Sequence, residues 1–134
     1  MNISTKLLKA AAGSAGGATL DVDECFSCHL YDGTGSTQTI TNGIDLSGEG
    51  GLVWIKERTN VSNHGLFDTE RGVTKYIHSD GSDAEQTGAT TLTAFNSNGF
   101  SIGSGFVNDN NREICSWTFR KAPKFFDVVT YTGD

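Results

Sequence analysis

Three cysteines and three histidines are the residues of this sequence most suited to hold a metal or a haem. The segment Cys25-Phe-Ser-Cys-His29 has the Cys-x-x-Cys-His spacing that attaches a c-type haem covalently. Such a haem needs a second axial ligand, and only His64 and His78 remain, because the one methionine is residue 1. The motif also alternates apolar and polar residues, as a strand does. We therefore expect no haem and no other cofactor.

Zinc is the metal that the same residues could bind. Cys25, Cys28, His29 and Cys115 offer four ligand atoms, but structural zinc sites usually use two separated pairs of ligands. Adjacent Cys28 and His29 would point to opposite faces of a strand. A disulfide would leave one of the three cysteines unpaired. We expect no metal ligand here and interpret Cys28 and Cys115 as small apolar core residues.

Neighbouring carboxylates raise the question of glycoside hydrolysis, which needs two carboxyl groups across a cleft. Asp68 and Glu70 lie two residues apart, on one face of an extended chain, but Arg71 beside them favours a structural ion pair. The acidic loop 80–85 could offer oxygen ligands to Ca²⁺, although its spacing is not that of an EF-hand. No Gly-x-Ser-x-Gly nucleophile motif occurs. We expect no catalytic residue and no enzymatic activity.

Charge and hydropathy limit the classes of partner. The formal net charge is −6, whereas broad nucleic-acid binding needs a basic surface. No run approaches the roughly 20 apolar residues that cross a bilayer. The apolar patch near the start is interrupted by Lys9 and is shorter than that of a secretory signal. We expect no nucleic-acid partner and no membrane insertion.

The elements that must position these residues are predicted to be short strands. Seventeen glycines and many Thr, Ser and Asn residues separate aromatic and β-branched segments, which is typical of a β-sandwich. Within residues 52–56, Val53 and Ile55 face one side while Trp54 and Lys56 face the other. The predicted strands are 26–31, 36–41, 52–56, 66–67, 76–77, 91–95, 100–102 and 114–119.

The chain divides into an N-terminal segment, residues 1–18, and a β-sandwich domain, residues 19–134. Residues 2–12 can form a short amphipathic helix that needs a docking partner to be ordered. Residues 13–18 are glycine-rich, and this composition predicts a flexible tether. The residues expected to dock share one small apolar stripe and its basic rim; they are Ile3, Lys6, Leu7, Leu8 and Lys9.

The end of the sequence contains a further predicted strand, residues 127–131, rich in β-branched and aromatic residues. Tyr131-Thr-Gly-Asp134 echoes Tyr31-Asp-Gly-Thr34 near the start of the domain. One interpretation is that a second sandwich unit begins after residue 127. The other is that residues 127–131 form the closing strand of a single sheet.

Several segments together carry a resemblance to a known type of domain. In order along the chain they are Leu30-Tyr-Asp-Gly-Thr-Gly-Ser36, Gly51-Leu-Val-Trp-Ile-Lys56, Leu66-Phe-Asp-Thr-Glu-Arg-Gly72, Phe95-Asn-Ser-Asn-Gly-Phe-Ser-Ile-Gly103 and Ser116-Trp-Thr-Phe-Arg-Lys-Ala-Pro-Lys-Phe-Phe-Asp127. Over about residues 26–134 the chain resembles an uncharacterised β-sandwich domain of tailed-phage virion proteins, especially of marine cyanobacterial phages. The resemblance implies a jelly-roll or lectin-like fold and a place in the virion. It brings no assigned activity.

These observations favour a structural virion protein, made in the host cytoplasm. We expect an N-terminal tail-fibre or tail-attachment part that docks through residues 2–12 on tail, adaptor or capsid proteins and displays a β-sandwich. A homo-oligomer is expected, with a trimer favoured. One alternative is a carbohydrate-binding module that recognises a host surface glycan through Trp54 or Trp117. Another is a decoration protein of the capsid head.

Overall fold

A computed structural model describes residues 19–134 of the chain. Two short helices accompany nine strands within this range. The helices are α1 (Val22–Cys25) and α2 (Leu46–Glu49). The strands are β1 (Phe26–Asp32), β2 (Gln38–Thr41), β3 (Gly51–Glu57), β4 (Gly65–Asp68), β5 (Lys75–His78), β6 (Gln86–Thr87), β7 (Leu92–Asn96), β8 (Gly99–Ile102) and β9 (Glu113–Arg120).

The strands form two antiparallel sheets, which confirms the predicted all-β sandwich. The larger sheet has the order β1-β9-β3-β4-β5-β6, and the smaller has the order β2-β8-β7. Strands make up 41% and helix 7% of the structure. The first and last strands pair over their full common length, from Phe26 opposite Phe119 to Asp32 opposite Glu113. Among the described residues, β1 is therefore an edge strand that pairs with β9 on one side.

The core lies between the two sheets. The predicted alternation in β3 is confirmed, because Val53 and Ile55 are fully buried while Trp54 is only partly buried on the opposite side. Apolar side chains of the smaller sheet, such as Ile40 and Phe100, meet them. Burial of such side chains is worth roughly 1.5–3 kcal/mol each, which makes this layer the main source of stability. Tyr31 joins the core from β1 and donates its hydroxyl to Val107 O at 2.8 Å.

One buried amide ties together two loops that flank the paired strands β1 and β9. Asn108, fully buried, lies in the loop before β9. Its Nδ2 donates to Gly103 O at 2.6 Å and to Ser36 O at 2.5 Å, and its Oδ1 accepts from Thr34 N at 2.9 Å. Residues 34 and 36 belong to the loop after β1. The amide therefore fixes the far end of β1 relative to the start of β9.

The predicted strand at residues 127–131 is wrong. These residues adopt no regular secondary structure, and Val129 and Tyr131 are 74% and 89% exposed. After β9 the chain turns through residues 122–126, where Ala122 and Phe126 form an isolated bridge. A strand needs a free edge, but β9 already has β1 on one side and β3 on the other. Strand-forming composition alone does not supply that pairing partner.

Neither described helix, each only four residues long, could span a membrane. The predicted amphipathic helix at residues 2–12 and the tether at residues 13–18 lie outside the described residues.

Candidate functional site

The outward side of the six-stranded sheet carries an unbroken row of apolar side chains. The antiparallel registers place one residue from each of five strands directly side by side. With about 4.8 Å between strands, this row is roughly 19 Å long. We call it the outer row; its members are Cys28, Trp117, Trp54, Leu66 and Ile77.

Further apolar residues flank the outer row on both sides. Phe26, Phe119 and Leu52 form the next row, in register across β1, β9 and β3. Leu30, which is 57% exposed, and Cys115 lie on the other side. Together with the outer row these residues form what we call the outer face. A sandwich normally turns polar residues outward, so a continuous apolar surface of this kind marks an interaction site.

The smaller sheet provides an internal comparison. Its outward side carries Thr39, Thr41 and Ser101, and the hydroxyls of Thr39 and Ser101 are 3.2 Å apart. Thr39 and Thr41 are exposed, whereas their neighbour Ile40 is buried in the core. The small sheet therefore follows the usual polar-outward pattern. The apolar outer face is a property of one sheet and not of the whole molecule.

Two indoles occupy the centre of the outer face. Trp54 and Trp117 are directly paired in the ladder, with ring centroids 5.6 Å apart and an edge-to-face angle of 64°. Trp54 Nε1 donates to His64 Nδ1 at 2.8 Å. Because an indole nitrogen can only donate, this bond requires an unprotonated Nδ1 on His64. The predicted glycan-contacting residues are thus brought together on the surface rather than in the core.

A polar rim borders the indole pair on the side of β4 and β5. The backbone N–H of His64 donates to Asp80 Oδ1 at 2.9 Å, and His78 Nδ1 lies 2.9 Å from His64 O. The hydrogen bond from the His64 backbone is the main reason that the pKa of Asp80 lies below its usual range. An ionised carboxylate and an imidazole are therefore held next to the exposed edge of Trp54.

The cysteines occupy three different environments. Cys25, at the end of α1, is 1% exposed, and Cys115 is 4% exposed, as predicted for a small apolar residue. The interpretation of Cys28 as a core residue is wrong, because its side chain is exposed. It points to the uncovered outward side of an edge strand. Its Sγ lies 3.8 Å from Cys115 Sγ. Burial is the main reason that the pKa of Cys115 is raised to about 11.

The carboxylates considered for catalysis or Ca²⁺ already have protein partners: Arg71 pairs with both Asp68 and Glu85, Lys121 pairs with Glu70, and a backbone N–H donates to Asp80. Asp68 is fully buried and accepts from the backbone and the guanidinium of Arg71, which confirms the structural ion pair expected there. Glu70 instead pairs with Lys121 at 2.7 Å. Glu85 pairs with Arg71 at 3.4 Å, whereas Asp80 accepts a hydrogen bond from the backbone N–H of His64. Within residues 19–134 no three His, Cys, Asp or Glu side chains form a group that could hold a metal.

Sequence reasoning missed two features of this surface. The outward direction of Trp54 follows from alternation in β3, but its alignment with Cys28 and Ile77 depends on strand order, which no local pattern contains. Residues 107–112 are mostly polar, which favours an exposed loop, yet Val107 and Asn108 are fully buried. The expected docking residues Ile3, Lys6, Leu7, Leu8 and Lys9 lie outside the described residues.

Comparison with protein families assigns the chain to a family. A family model described as a domain of unknown function, DUF7483, matches residues 21–134. The chain belongs to this family. The matched range coincides with the described β-sandwich and begins at the cap of α1. No curated protein and no solved structure matches the chain.

Proposed function

We propose that this protein is a structural component of a tailed-phage virion, in which the outer face packs against a second copy of the same chain. The proposal combines the resemblance of residues 26–134 to tailed-phage virion domains with one structural observation, the apolar outer face. The N-terminal segment would attach the domain to tail, adaptor or capsid proteins. A jelly-roll or lectin-like topology is part of the proposal.

A second copy suits the outer face because the face itself is almost uncharged. The ionisable side chains near its centre are His64, which accepts a hydrogen bond from Trp54, and Lys56, whose ammonium group is turned towards Glu57 O. The whole chain carries a net charge of −6, so two copies repel each other over most of their surface. Face-to-face contact at the outer face buries apolar side chains without placing like charges opposite one another.

The size of the outer face predicts a weak pair. Ten residues, each occupying about 4.8 Å by 6.8 Å of the sheet, give roughly 330 Å² per copy. Two copies would bury about 650 Å², which is less than the roughly 1,000 Å² of a stable specific interface, so one pair alone is transient. Such contacts become stable when many copies are held close together by a common attachment. A trimer or larger assembly on the particle would supply that proximity.

Sedimentation velocity of the full chain over a concentration series tests this contact. Replacing Leu66→Thr and Trp117→Thr keeps strand-forming residues but removes the two large side chains on either side of Trp54 in the outer row. We expect the wild type to associate and this double variant to associate at least about tenfold more weakly. The matched control, Thr39→Ser with Thr41→Ser on the small sheet, should behave as wild type. A wild type that stays monomeric, or a double variant that associates equally well, would contradict the proposal.

A second candidate function is recognition of a host surface glycan. The observation that favours it is the indole pair beside the rim of His64 and Asp80, since sugars stack on aromatic rings and hydrogen-bond to adjacent polar groups. Titration with host surface polysaccharide should then change the tryptophan fluorescence, and Asp80→Asn should weaken the binding. Binding that is unchanged in Trp54→Thr would exclude this site. A capsid head decoration role would be distinguished by finding the protein on the head rather than the tail.

A further inference from the structure

Two thiols on neighbouring strands are in contact at the β1 rim of the outer face. Cys28 Sγ and Cys115 Sγ are 3.8 Å apart, and both cysteines are free thiols. In the ladder Cys28 pairs with Trp117, and Cys115 pairs with Leu30. The two cysteines are therefore diagonal neighbours on the same side of the sheet.

The two thiols differ in accessibility, and this difference sets the order in which they would react. Cys28 is exposed, whereas Cys115 is almost fully buried, with a pKa raised to about 11 mainly by that burial. A reagent in solution therefore reaches Cys28 first. Cys115, already in contact with it, is placed to react second. The remaining thiol, Cys25, is 1% exposed and contacts the guanidinium of Arg120 at 3.5 Å.

We propose that Cys28 and Cys115 form a redox modification site that reacts with a low-molecular-weight disulfide, such as glutathione disulfide, and closes into an intramolecular disulfide. The Cys28 thiolate attacks one sulfur of the reagent, so that its S–S bond breaks and one glutathione thiolate leaves. Cys115 then loses its proton and attacks the Cys28 sulfur of the mixed disulfide, which expels the second glutathione. Two protein thiols are oxidised, and one reagent disulfide is reduced to two thiols.

The sulfur contact allows this bond if the backbone of β1 shifts, because diagonal neighbours have Cα atoms about 7–8 Å apart and a disulfide usually needs about 4.4–6.8 Å. The sulfur atoms must approach from 3.8 Å to about 2.05 Å. Among the described strands, Cys28 lies on an edge strand that pairs with β9 on one side, so β1 can shift more readily than a central strand. A diagonal position is not ideal for a disulfide, and strained disulfides are the ones that are readily reduced again. The site is therefore suited to reversible closure.

Closure would tie the edge strand β1 to β9. The two cysteines are 87 positions apart, so the bond restrains most of the unfolded chain. It would also oppose peeling of β1 from the sheet. This last consequence rests on the proposed function, since a pull on an attached N-terminal segment would pass through α1 into β1. Formation of the bond itself depends on the fold alone.

The test is oxidation of the isolated full chain with glutathione disulfide, followed by alkylation and peptide mapping. We expect alkylatable thiols, counted after denaturation, to fall from three to one, with a linked Cys28–Cys115 peptide. The midpoint of thermal unfolding should rise by at least about 5 °C. Cys25→Ala, the matched control, should form the same link. Cys115→Ser should stop at a single glutathione adduct on Cys28.

Three results would overturn the inference. The first is a wild-type chain that stops at a glutathione adduct on Cys28 while Cys115 remains a thiol. The second is a link from Cys25 to either other cysteine. The third is a link between two chains through Cys28. The oxidation is run at a protein concentration at which sedimentation velocity shows a monomer, so association of the outer face does not cover Cys28 and a failure here is distinct from a failure of the proposed function.

Discussion

Replacing Asn108 by alanine should destabilise the domain more than any exposed substitution in the same loop. Its side-chain amide is fully buried and bonds to three backbone groups in two loops. The Asn108→Ala variant removes donors from Gly103 O and Ser36 O and an acceptor from Thr34 N. Ser36 O keeps one partner, the hydroxyl of Thr34 at 3.0 Å. All three backbone groups lose the partner that Asn108 supplies, and two of them, Gly103 O and Thr34 N, lack the second bond that Ser36 O keeps.

The expected loss of stability in Asn108→Ala follows from the two backbone groups Gly103 O and Thr34 N. An unsatisfied buried polar group costs about 1–3 kcal/mol. Entry of water at the vacated side chain would offset part of this cost, so we expect a decrease of about 2–4 kcal/mol in the free energy of unfolding. For a domain of this size the midpoint of thermal unfolding should then fall by roughly 7–14 °C. Because Asn108 fixes β1 against β9, the outer face should be disturbed as well.

Urea unfolding followed by tryptophan fluorescence and by circular dichroism measures this loss. Asn110→Ala is the matched control, because Asn110 lies in the same loop but is exposed. It should change the free energy of unfolding by less than about 0.5 kcal/mol. Asn108→Asp keeps the shape but brings a carboxylate against two carbonyl oxygens, so it should be at least as destabilising at pH 7. An Asn108→Ala variant as stable as the control would refute the reasoning.

Three other substitutions or deletions test separate parts of the structure. Burial raises the pKa of the Tyr31 hydroxyl, so this group stays protonated in the folded state. Its contribution to the free energy of unfolding is therefore complete below about pH 10 and falls by about 1.4 kcal/mol per pH unit above it. Tyr31→Phe should flatten that fall in alkaline urea titrations, and equal slopes would contradict it. Asp68→Asn should cost about 2–3 kcal/mol in urea unfolding, against less than about 1 kcal/mol for the surface-pair control Glu70→Gln. Deleting residues 2–12 should leave circular dichroism of the sandwich unchanged but remove the protein from purified particles, and normal incorporation would contradict the attachment role.

Much of the fold could be predicted because strands carry local signals. The segments around β1, β3 and β9 were located within one or two residues, since aromatic and β-branched runs bounded by glycine define them. The predicted strand at residues 127–131 has the same composition, but β9, the strand that precedes it, already pairs with β1 on one side and β3 on the other. Pairing, unlike propensity, depends on residues far away in the sequence. This is why that prediction failed while the sandwich itself was predicted correctly.

The candidate site was less accessible to sequence reasoning. Cys28 was placed in the core because it alternates with polar neighbours in an apolar strand. Alternation identifies two faces, but it does not indicate which face another sheet covers. In this fold the covered face includes Tyr31, and the uncovered one includes Cys28 and Leu30. The contact between Cys28 and Cys115 likewise arises only when the first and last strands pair.

The position of residues 19–134 in a density map of the assembled particle tests the proposed function most directly. We expect the outer face to lie against another copy of the chain, with Trp54 and Trp117 removed from solvent. The chain should continue from α1 towards the surface to which residues 1–18 attach. An outer face open to solvent in every copy, or a particle without this protein, would contradict the proposed function.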